Sequence, residues 1–205
     1  MESALIIYFS RAGENYVSGT LQYLKKGNTE IAAETIQKLT GGKLFKVQPV
    51  VPYAEDYNTC IEEARQDQKK DARPGIAAMP DHLEQYDVIY LGYPNYWGTM
   101  PMHMFTLLET CGFAGKTIRP FCTHEGSGLG RSEQDIRRLC PDAVVEPGMA
   151  IHGTRIQSAG QEQVIREWLR RKKNGIRHTE SVSYTHLNRL MQYCGLWFCQ
   201  VQIRG

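Results

Sequence analysis

The chain has 205 residues, and its 41% hydrophobic and 22% charged content is ordinary for a soluble globular protein of one domain. Its formal net charge of +2 gives no reason to expect nucleic acid or an anionic membrane as a partner. No apolar run approaches the roughly 20 residues that a membrane-spanning helix needs.

An apolar run at residues 4–9 is followed by a polar turn at residues 10–15. We interpret the run as a buried strand. Residues 27–29, Gly-Asn-Thr, then begin a helical segment over residues 30–39. A strand, a loop with hydroxyl and glycine residues, and a helix N-terminus direct N–H groups and the helix dipole at one point. The first part of the chain therefore predicts a phosphate-binding site.

Strand and helix signals alternate through the rest of the chain. Further strands are predicted at residues 44–47, 88–91 and 117–122, and an interrupted one at 143–145 and 149–151. Helices are predicted at about residues 56–70, 101–111, 132–139 and 161–172. This alternation indicates a doubly wound α/β fold, in which a five-stranded parallel sheet lies between two layers of helices.

Local signals support several of these boundaries. Gly41 follows a predicted helix and is a typical helix stop. Thr59 and Glu62 have the spacing of a capping box. Pro101 suits the first residue of a helix.

Three loops leave the carboxyl edge of the predicted sheet, where ligands bind in such folds. They comprise residues 10–15 with 27–29, residues 93–101, and residues 123–130. The first offers donors for an anion, the second flat aromatic surfaces, and the third glycines that let the backbone approach a planar group. Each loop alone is weak evidence, and the glycine spacing of the third does not match G-x-G-x-x-G. Together they favour a phosphate tethered to a large flat ring.

The six cysteines are scattered and form no C-x-x-C pair, which favours reduced thiols over a disulfide or zinc framework. The N-terminus leads into a strand and shows no basic region or cleavage site of a signal peptide. We therefore expect a cytoplasmic protein, without a metal site.

These loops resemble those of the flavodoxin family. The resemblance covers roughly residues 4–172, and it lies in three motifs: YFSR-x-GEN-Y at 8–16 with GNT at 27–29, YPNYWGTMP at 93–101, and THEGSG at 123–128. It implies a flavodoxin-like domain over residues 1–175, with strand order 2-1-3-4-5 and non-covalently bound FMN.

The resemblance also implies which residues bind FMN. Ser10, Arg11, Asn28 and Thr29 would hold the phosphate, and the ring would lie between the second and third loops. The full set of candidate cofactor-binding residues is Ser10, Arg11, Gly13, Asn15, Asn28, Thr29, Pro94, Asn95, Tyr96, Trp97, Gly98, Thr123, His124, Gly126, Ser127 and Gly128.

The chain departs from the family pattern at residues 16–26, an insertion that divides the usual contiguous phosphate loop. Either half of the loop could supply the main donors. Arg11 either pairs with the phosphate or is solvated beside Glu14. His124 either holds its own loop, which we favour, or contacts the flavin, and Glu125 is expected to face solvent.

The resemblance favours an electron carrier that exchanges single electrons with a redox partner protein or a small-molecule acceptor, as a monomer or weak dimer. The alternative is an FMN-dependent NAD(P)H:quinone or nitro-compound reductase on the same fold, which the near-neutral charge favours slightly. A hydrolase using Ser127 and His124 is the weakest alternative, because the chain contains no G-x-S-x-G elbow.

The composition changes at residue 182. Residues 182–205 contain Trp197 and two cysteines but no acidic residue, and the peptide at 182–187 resembles the translation of a transposon mosaic-end adapter used in sequencing libraries. We hypothesise that this tail is an artefact appended to a truncated reading frame; the alternative is an apolar element packed on the domain. Finding the tail encoded in source DNA would refute the artefact. Without Arg189 and Arg204, basic and acidic residues would number 22 each.

Overall fold

Strands and helices alternate along residues 3–171, the part of the chain that the structure, a computed structural model, describes. The strands are β1 (Ala4–Tyr8), β2 (Gly13–Val17), β3 (Thr20–Leu24), β4 (Lys43–Lys46), β5 (Val88–Pro94), β6 (Thr117–His124), β7 (Val144–Val145) and β8 (Met149–His152). The α-helices are α1 (Asn28–Thr40), α2 (Tyr57–Lys69), α3 (Met102–Thr110), α4 (Ser132–Leu139) and α5 (Gln161–Arg170).

The central sheet has the order β4-β1-β5-β6, followed by β7 and β8, and every pairing in it is parallel. β7 pairs with the start of β6 and β8 with its end, so the two short strands share the last position. The fold class and the order 2-1-3-4-5 are therefore confirmed. The predicted interruption at Pro147 and Gly148 separates β7 from β8.

Both faces of the sheet are covered by helices. Leu5 and Ile7 of β1 are buried with Met104 and Leu107 of α3. Ile6 of β1 is buried in a second cluster on the opposite face, with side chains of α1 and α5. Because successive residues of a strand point to opposite faces, the unbroken apolar run of β1 serves both cores. The result is the three-layer arrangement expected from the sequence.

The helix ends confirm one predicted signal and correct another. Gly41 ends α1 in the left-handed conformation, as a helix stop does. The capping box at Thr59 and Glu62 was wrong, because the N-cap of α2 is Asp56. The Asp56 carboxylate accepts the Thr59 N–H at 2.7 Å and the Thr59 hydroxyl at 2.6 Å, which places Thr59 within the first helical turn.

The insertion after β1 forms an antiparallel β-hairpin, β2–β3, that the sequence analysis did not identify. Its two strands pair with each other and, within residues 3–171, not with the central sheet. Ser18 and Gly19 form the turn with φ values of 53° and 85°. Positive φ at both central residues matches the tight hairpin turns whose twist suits the flanking strands.

No helix in residues 3–171 is long and apolar enough to cross a membrane. The suspected artefactual tail at residues 182–205 lies outside the described residues, and its origin remains a hypothesis.

Candidate functional site

An open pocket of about 220 Å³ lies at the carboxyl edge of the sheet, beyond the ends of β1, β5 and β6. It contains most of the candidate residues: Ser10, Arg11, Asn15, Asn28, Thr29, Pro94, Asn95, Tyr96, Thr123, His124 and Ser127. Its wall also includes Tyr16, Tyr57 and Glu125, which were not candidates. The structure does not bring Gly13, Trp97, Gly98, Gly126 or Gly128 into the lining.

The N-terminus of α1 forms one end of the pocket. The first N–H groups of a helix have no partner within it, and the helix dipole adds a positive partial charge there. Ser10 is fixed beside this terminus because its Oγ accepts the Glu30 N–H at 3.1 Å. The Thr29 hydroxyl lies 2.7 Å from that of Thr123, which ties α1 to the end of β6. This end of the pocket therefore suits an anion.

Gly27 allows the first loop to approach α1 this closely. A methyl group at Gly27 would overlap the Ser10 hydroxyl and the main-chain carbonyl of Arg11. Gly27 is buried and is the N-cap residue of α1, with extended backbone dihedrals. The glycine is needed here for space and not for an unusual dihedral angle.

The Arg11 guanidinium donates its hydrogen bonds to main-chain carbonyls. Its Nη2 donates to the Ala54 carbonyl at 2.8 Å and its Nε to the same oxygen at 3.2 Å. The guanidinium also donates to the carbonyls of Glu14 and Glu55. Arg11 is therefore neither simply solvated nor free to present its whole fork to an anion, although its charge remains at the pocket wall. The solvated alternative is therefore wrong, whereas the pairing of Arg11 with a phosphate stays a prediction.

The second and third loops are held together by Asn95. Its Nδ2 donates to the Gly128 carbonyl at 2.8 Å, and its Oδ1 accepts the Gly98 N–H at 2.9 Å. The Asn95 N–H also donates to the Thr123 carbonyl at 2.8 Å. These bonds give Asn95, Gly98 and Gly128 a clear structural task, which is to fix the two loops on either side of the pocket.

Tyr96 is the aromatic side chain that the second loop contributes to the pocket. Its ring meets Phe9 edge-on, with centroids 6.4 Å apart, and Tyr53 at 5.9 Å. Its hydroxyl lies 3.7 Å from the Cys60 Sγ. Burial raises the pKa of Tyr96 well above its usual value, so the phenol stays neutral.

Trp97, in contrast, is 44% exposed and lies against α2 instead of in the pocket. Its Nε1 donates to the Ile61 carbonyl at 2.7 Å, and the Arg65 guanidinium lies 5.1 Å from the ring centroid. Its backbone is in the left-handed region, with φ of 53°. This turn of the backbone directs the indole away from the pocket, so the structure separates the two aromatic residues that the sequence grouped together.

Two tyrosines that the sequence analysis missed face each other at the pocket wall. The rings of Tyr16 on β2 and Tyr57 at the start of α2 are stacked, with centroids 6.0 Å apart and planes at 23°. Glu14 joins the same elements, since its Oε2 accepts the Tyr57 N–H at 2.8 Å. The Ser18-Gly19 pair within the insertion was the available signal, because a Ser-Gly dipeptide marks a turn.

The third loop contributes His124 and Glu125. The His124 Nδ1 accepts the Gly126 N–H at 2.9 Å, which is the loop-holding role that the sequence favoured. Burial and the neighbouring His152 lower the pKa of His124, and Glu125 opposes this shift. Glu125 is exposed as expected, but its Oε2 also accepts the Ser18 N–H of the hairpin at 3.2 Å.

The other chemistries considered find little support in this arrangement. Among the described residues, no three His, Cys, Asp or Glu side chains are grouped so that they could hold a metal ion. The Nδ1 of His124 is occupied by the Gly126 N–H and is not positioned by a carboxylate in the manner of a hydrolase triad.

Known proteins share this fold and sequence pattern. The flavodoxin family model matches residues 20–171, which is more than half of the chain. A candidate flavoprotein from Bacteroides eggerthii is 28% identical, with a TM-score of 0.67 over 82% of this chain and 96% of its own. A flavoprotein from Lactobacillus acidophilus, solved in complex with FMN, is 17% identical, with a TM-score of 0.56 over 76% of this chain and 97% of its own. No curated protein sequence matches the chain significantly.

Proposed function

The chain belongs to the flavodoxin family, and we propose on this basis that it binds FMN non-covalently in the pocket and carries single electrons. The observation that carries the proposal is the pairing of two features in one pocket. The N-terminus of α1 with Ser10 lies at one end, and Tyr96 of the second loop lines the pocket opposite residues of the third loop. The FMN complex of the Lactobacillus acidophilus flavoprotein, which shares the fold, supports the same ligand.

The phosphate of FMN fits the end formed by α1. The N–H groups at the start of the helix and the side chains of Ser10, Asn28 and Thr29 would supply its hydrogen bonds. Arg11 would act mainly through its charge, since carbonyls of residues 14, 54 and 55 use its donors. The N-terminus of a helix favours a dianionic group even where no lysine or arginine side chain surrounds that group.

The flavin ring fits the end that contains Tyr96. When bound, FMN supplies the redox chemistry, and the protein contributes binding, orientation and exclusion of water. Pro94 and Tyr96 would cover one side of the ring, and the backbone of residues 123–127 the other. Because Asn95 links the second loop to the third, the space between the two loops is held open by the protein's own hydrogen bonds.

The electrons would pass to or from a redox partner protein or a small-molecule acceptor. A reductase that oxidises NAD(P)H remains the second candidate, favoured by the formal charge of only +2. A carrier that docks a charged partner usually has a strongly charged face, whereas a reductase needs none.

The deciding experiments are spectroscopic and kinetic. Protein purified without added cofactor, or soaked in FMN and desalted, should be yellow and show bound-flavin absorbance. A redox titration should resolve two separate one-electron steps, and NADPH should be oxidised no faster than by free FMN. Colourless protein after soaking would refute FMN binding. Rapid steady-state NADPH oxidation with a quinone would favour the reductase.

A further inference from the structure

The β2–β3 hairpin, residues 13–24, crosses beside the pocket from α2 to the third loop, and we call it the strap. Its tip is attached by the Ser18 N–H, which donates to the Glu125 Oε2 at 3.2 Å. Tyr16 of the strap and Glu125 both line the pocket. The strap and its attachment point are thus both part of the wall that a bound ligand would touch.

The base of the strap is attached more firmly than its turn. At the base, Glu14 accepts the Tyr57 N–H at 2.8 Å and Arg11 donates to the Glu14 carbonyl. Nearer the turn, Tyr16 stacks on Tyr57. An isolated two-stranded hairpin is at best marginally stable in water. β3 is almost wholly exposed, with Tyr23 80% exposed. The turn at Ser18 and Gly19 projects beyond the Tyr16 stack, and the bond from the Ser18 N–H to Glu125 is the contact that positions it.

We propose that Glu125 is a positioning residue that holds the strap against the side of the pocket and slows the release of the bound cofactor. This inference rests on the proposed function. A carboxylate in the wall of an anion pocket opposes anion binding by its charge. Its bond to the Ser18 N–H gives Glu125 a structural task that offsets this cost. When the bond is lost, the tip is released and that side of the pocket opens.

The test compares three variants of the full chain loaded with FMN. Glu125→Ala removes the acceptor, and Glu125→Gln keeps an acceptor oxygen but removes the charge. Glu84→Ala is the matched control, since this exposed glutamate lies in a short 3-10 turn before β5, at the opposite edge of the sheet. FMN release is followed by the recovery of flavin fluorescence after dilution, and hydrogen exchange of residues 13–24 is measured without FMN.

We expect Glu125→Ala to release FMN roughly threefold to tenfold faster, as the loss of one hydrogen bond allows. Exchange in the strap should rise in the same variant. Glu125→Gln keeps the bond and loses the repelling charge, so it should release FMN no faster than the wild type and leave exchange in the strap near the wild-type level. Glu84→Ala should match the wild type in both measurements. The hydrogen bond and the charge can be distinguished because they have opposite effects on the rate of FMN release. If Glu125 acted only by repelling the phosphate, both of its variants would release FMN more slowly.

Slower release from both variants, or unchanged release and exchange in Glu125→Ala, would overturn the proposal. Equal acceleration in Glu125→Ala and Glu125→Gln would overturn it as well, because the retained acceptor would then have no effect. Wild-type protein that takes up no FMN would refute the proposed function instead. The exchange measurement on the unloaded protein would still decide whether Glu125 holds the strap.

Discussion

The Arg11 guanidinium donates two hydrogen bonds to one main-chain oxygen, that of Ala54, from Nη2 at 2.8 Å and from Nε at 3.2 Å. Arg11 lies in the loop after β1, whereas Ala54 lies in the loop before α2. A single side chain thus fixes the first loop of the pocket to the segment that begins α2. We therefore expect Arg11 to act mainly by fixing the shape of the pocket and less by direct contact with phosphate.

Replacing Arg11 should therefore cost stability more than phosphate selectivity. Arg11→Ala is expected to lower the free energy of unfolding by about 1.5–3 kcal/mol, as for hydrogen bonds to a charged group. Arg11→Lys should retain only part of this stabilisation, because an ammonium group lacks the planar fork of a guanidinium. Urea unfolding measures the change, and Arg137→Ala on the exposed face of α4 is the control.

The ligand readout for Arg11 is the ratio of FMN affinity to riboflavin affinity, since the two differ only in the phosphate. We expect Arg11→Ala to weaken both ligands and to leave the ratio within about threefold of the wild type, less than one charge-assisted contact is worth. A loss confined to FMN, tenfold or more, would instead identify Arg11 as a phosphate ligand.

Gly27→Ala should disrupt the anion site at the N-terminus of α1. The added methyl overlaps the Ser10 hydroxyl and the Arg11 carbonyl, so α1 and the first loop must move apart. We expect a destabilisation of about 1–3 kcal/mol and an FMN affinity at least about tenfold weaker. Gly112→Ala is the matched control, since nothing lies within 4 Å of its added methyl. Equal FMN binding by the two variants would contradict the tight approach at Gly27.

Much of the fold could be predicted because its signals are local. The apolar run that contains β1 is buried on both faces over residues 5–9 and has few alternatives to a strand in a parallel sheet. The boundaries of α4 and the interruption between β7 and β8 were also predicted correctly. The N-cap of α2 was not, because Asp56 and Thr59 are both good capping residues and the local sequence does not choose between them.

The parts of the site that were missed depend on contacts between distant residues. Each strand of the strap has only five residues and lacks a regular alternation of polar and apolar residues, and its wall residue Tyr16 is located by stacking on Tyr57. Trp97 turns toward α2 because the Ile61 carbonyl, distant in sequence, accepts its indole N–H. Composition and spacing could indicate that aromatic residues lie near this edge, but not which of them faces the pocket.

The buried ion pair between Arg119 and Glu146 should matter for stability without affecting ligand binding. The Arg119 Nε lies 2.9 Å from the Glu146 Oε2, with side chains only 9% and 15% exposed. Arg119 also donates to the Trp168 carbonyl at 2.8 Å near the end of α5. Removing Glu146 leaves this guanidinium buried without its counter-ion, so Glu146→Ala should cost about 2–4 kcal/mol.

Thermal or urea unfolding measures that loss, and FMN affinity should stay unchanged because the pair does not line the pocket. Lys38→Ala, which breaks an exposed pair with Glu162, is the control and should have little effect. The double variant Arg119→Met with Glu146→Leu should lose less than Glu146→Ala, because no charge is then left unpaired. A larger loss in the double variant would contradict this account.

His103 should make stability depend on pH. Its ring is fully buried, lies 4.2 Å from the Phe9 ring between centroids, and has no hydrogen-bond partner among the described residues. Burial lowers its pKa from 6.5 to about 3. The unfolded chain therefore binds a proton first as pH falls, and the folded state loses stability from about pH 6.5 downward, by up to ~1.4 kcal/mol per pH unit.

His103→Phe should remove this contribution while keeping an aromatic ring in the cluster. Between pH 6.5 and 4.5 the variant should lose about 2 kcal/mol less than the wild type in urea unfolding. His82→Asn is the control, because His82 is exposed and its left-handed backbone tolerates asparagine. Parallel pH profiles for the wild type and His103→Phe would show that His103 is protonated in the folded state.

The two aromatic residues of the second loop should differ in their effect on the ligand. Tyr96 lines the pocket, so Tyr96→Leu should weaken FMN at least about tenfold through lost aromatic contact. Tyr96→Phe keeps the ring and should bind nearly as the wild type does. Trp97→Asn, whose replacement tolerates the φ of 53°, removes a ring that packs on α2. Its FMN affinity should stay within about threefold, since it loses only contacts worth about 1 kcal/mol outside the pocket.

Fluorescence titration of all three variants with FMN gives the comparison, and urea unfolding checks that each is folded. Because Trp97→Asn loses the bond to the Ile61 carbonyl and the contact with Arg65, its cost should appear in unfolding and not in affinity. If Trp97→Asn weakened FMN more than Tyr96→Leu did, the ring of the flavin would have to contact Trp97. The second loop would then need to turn over when the ligand binds, which its bonds from Asn95 to the third loop oppose.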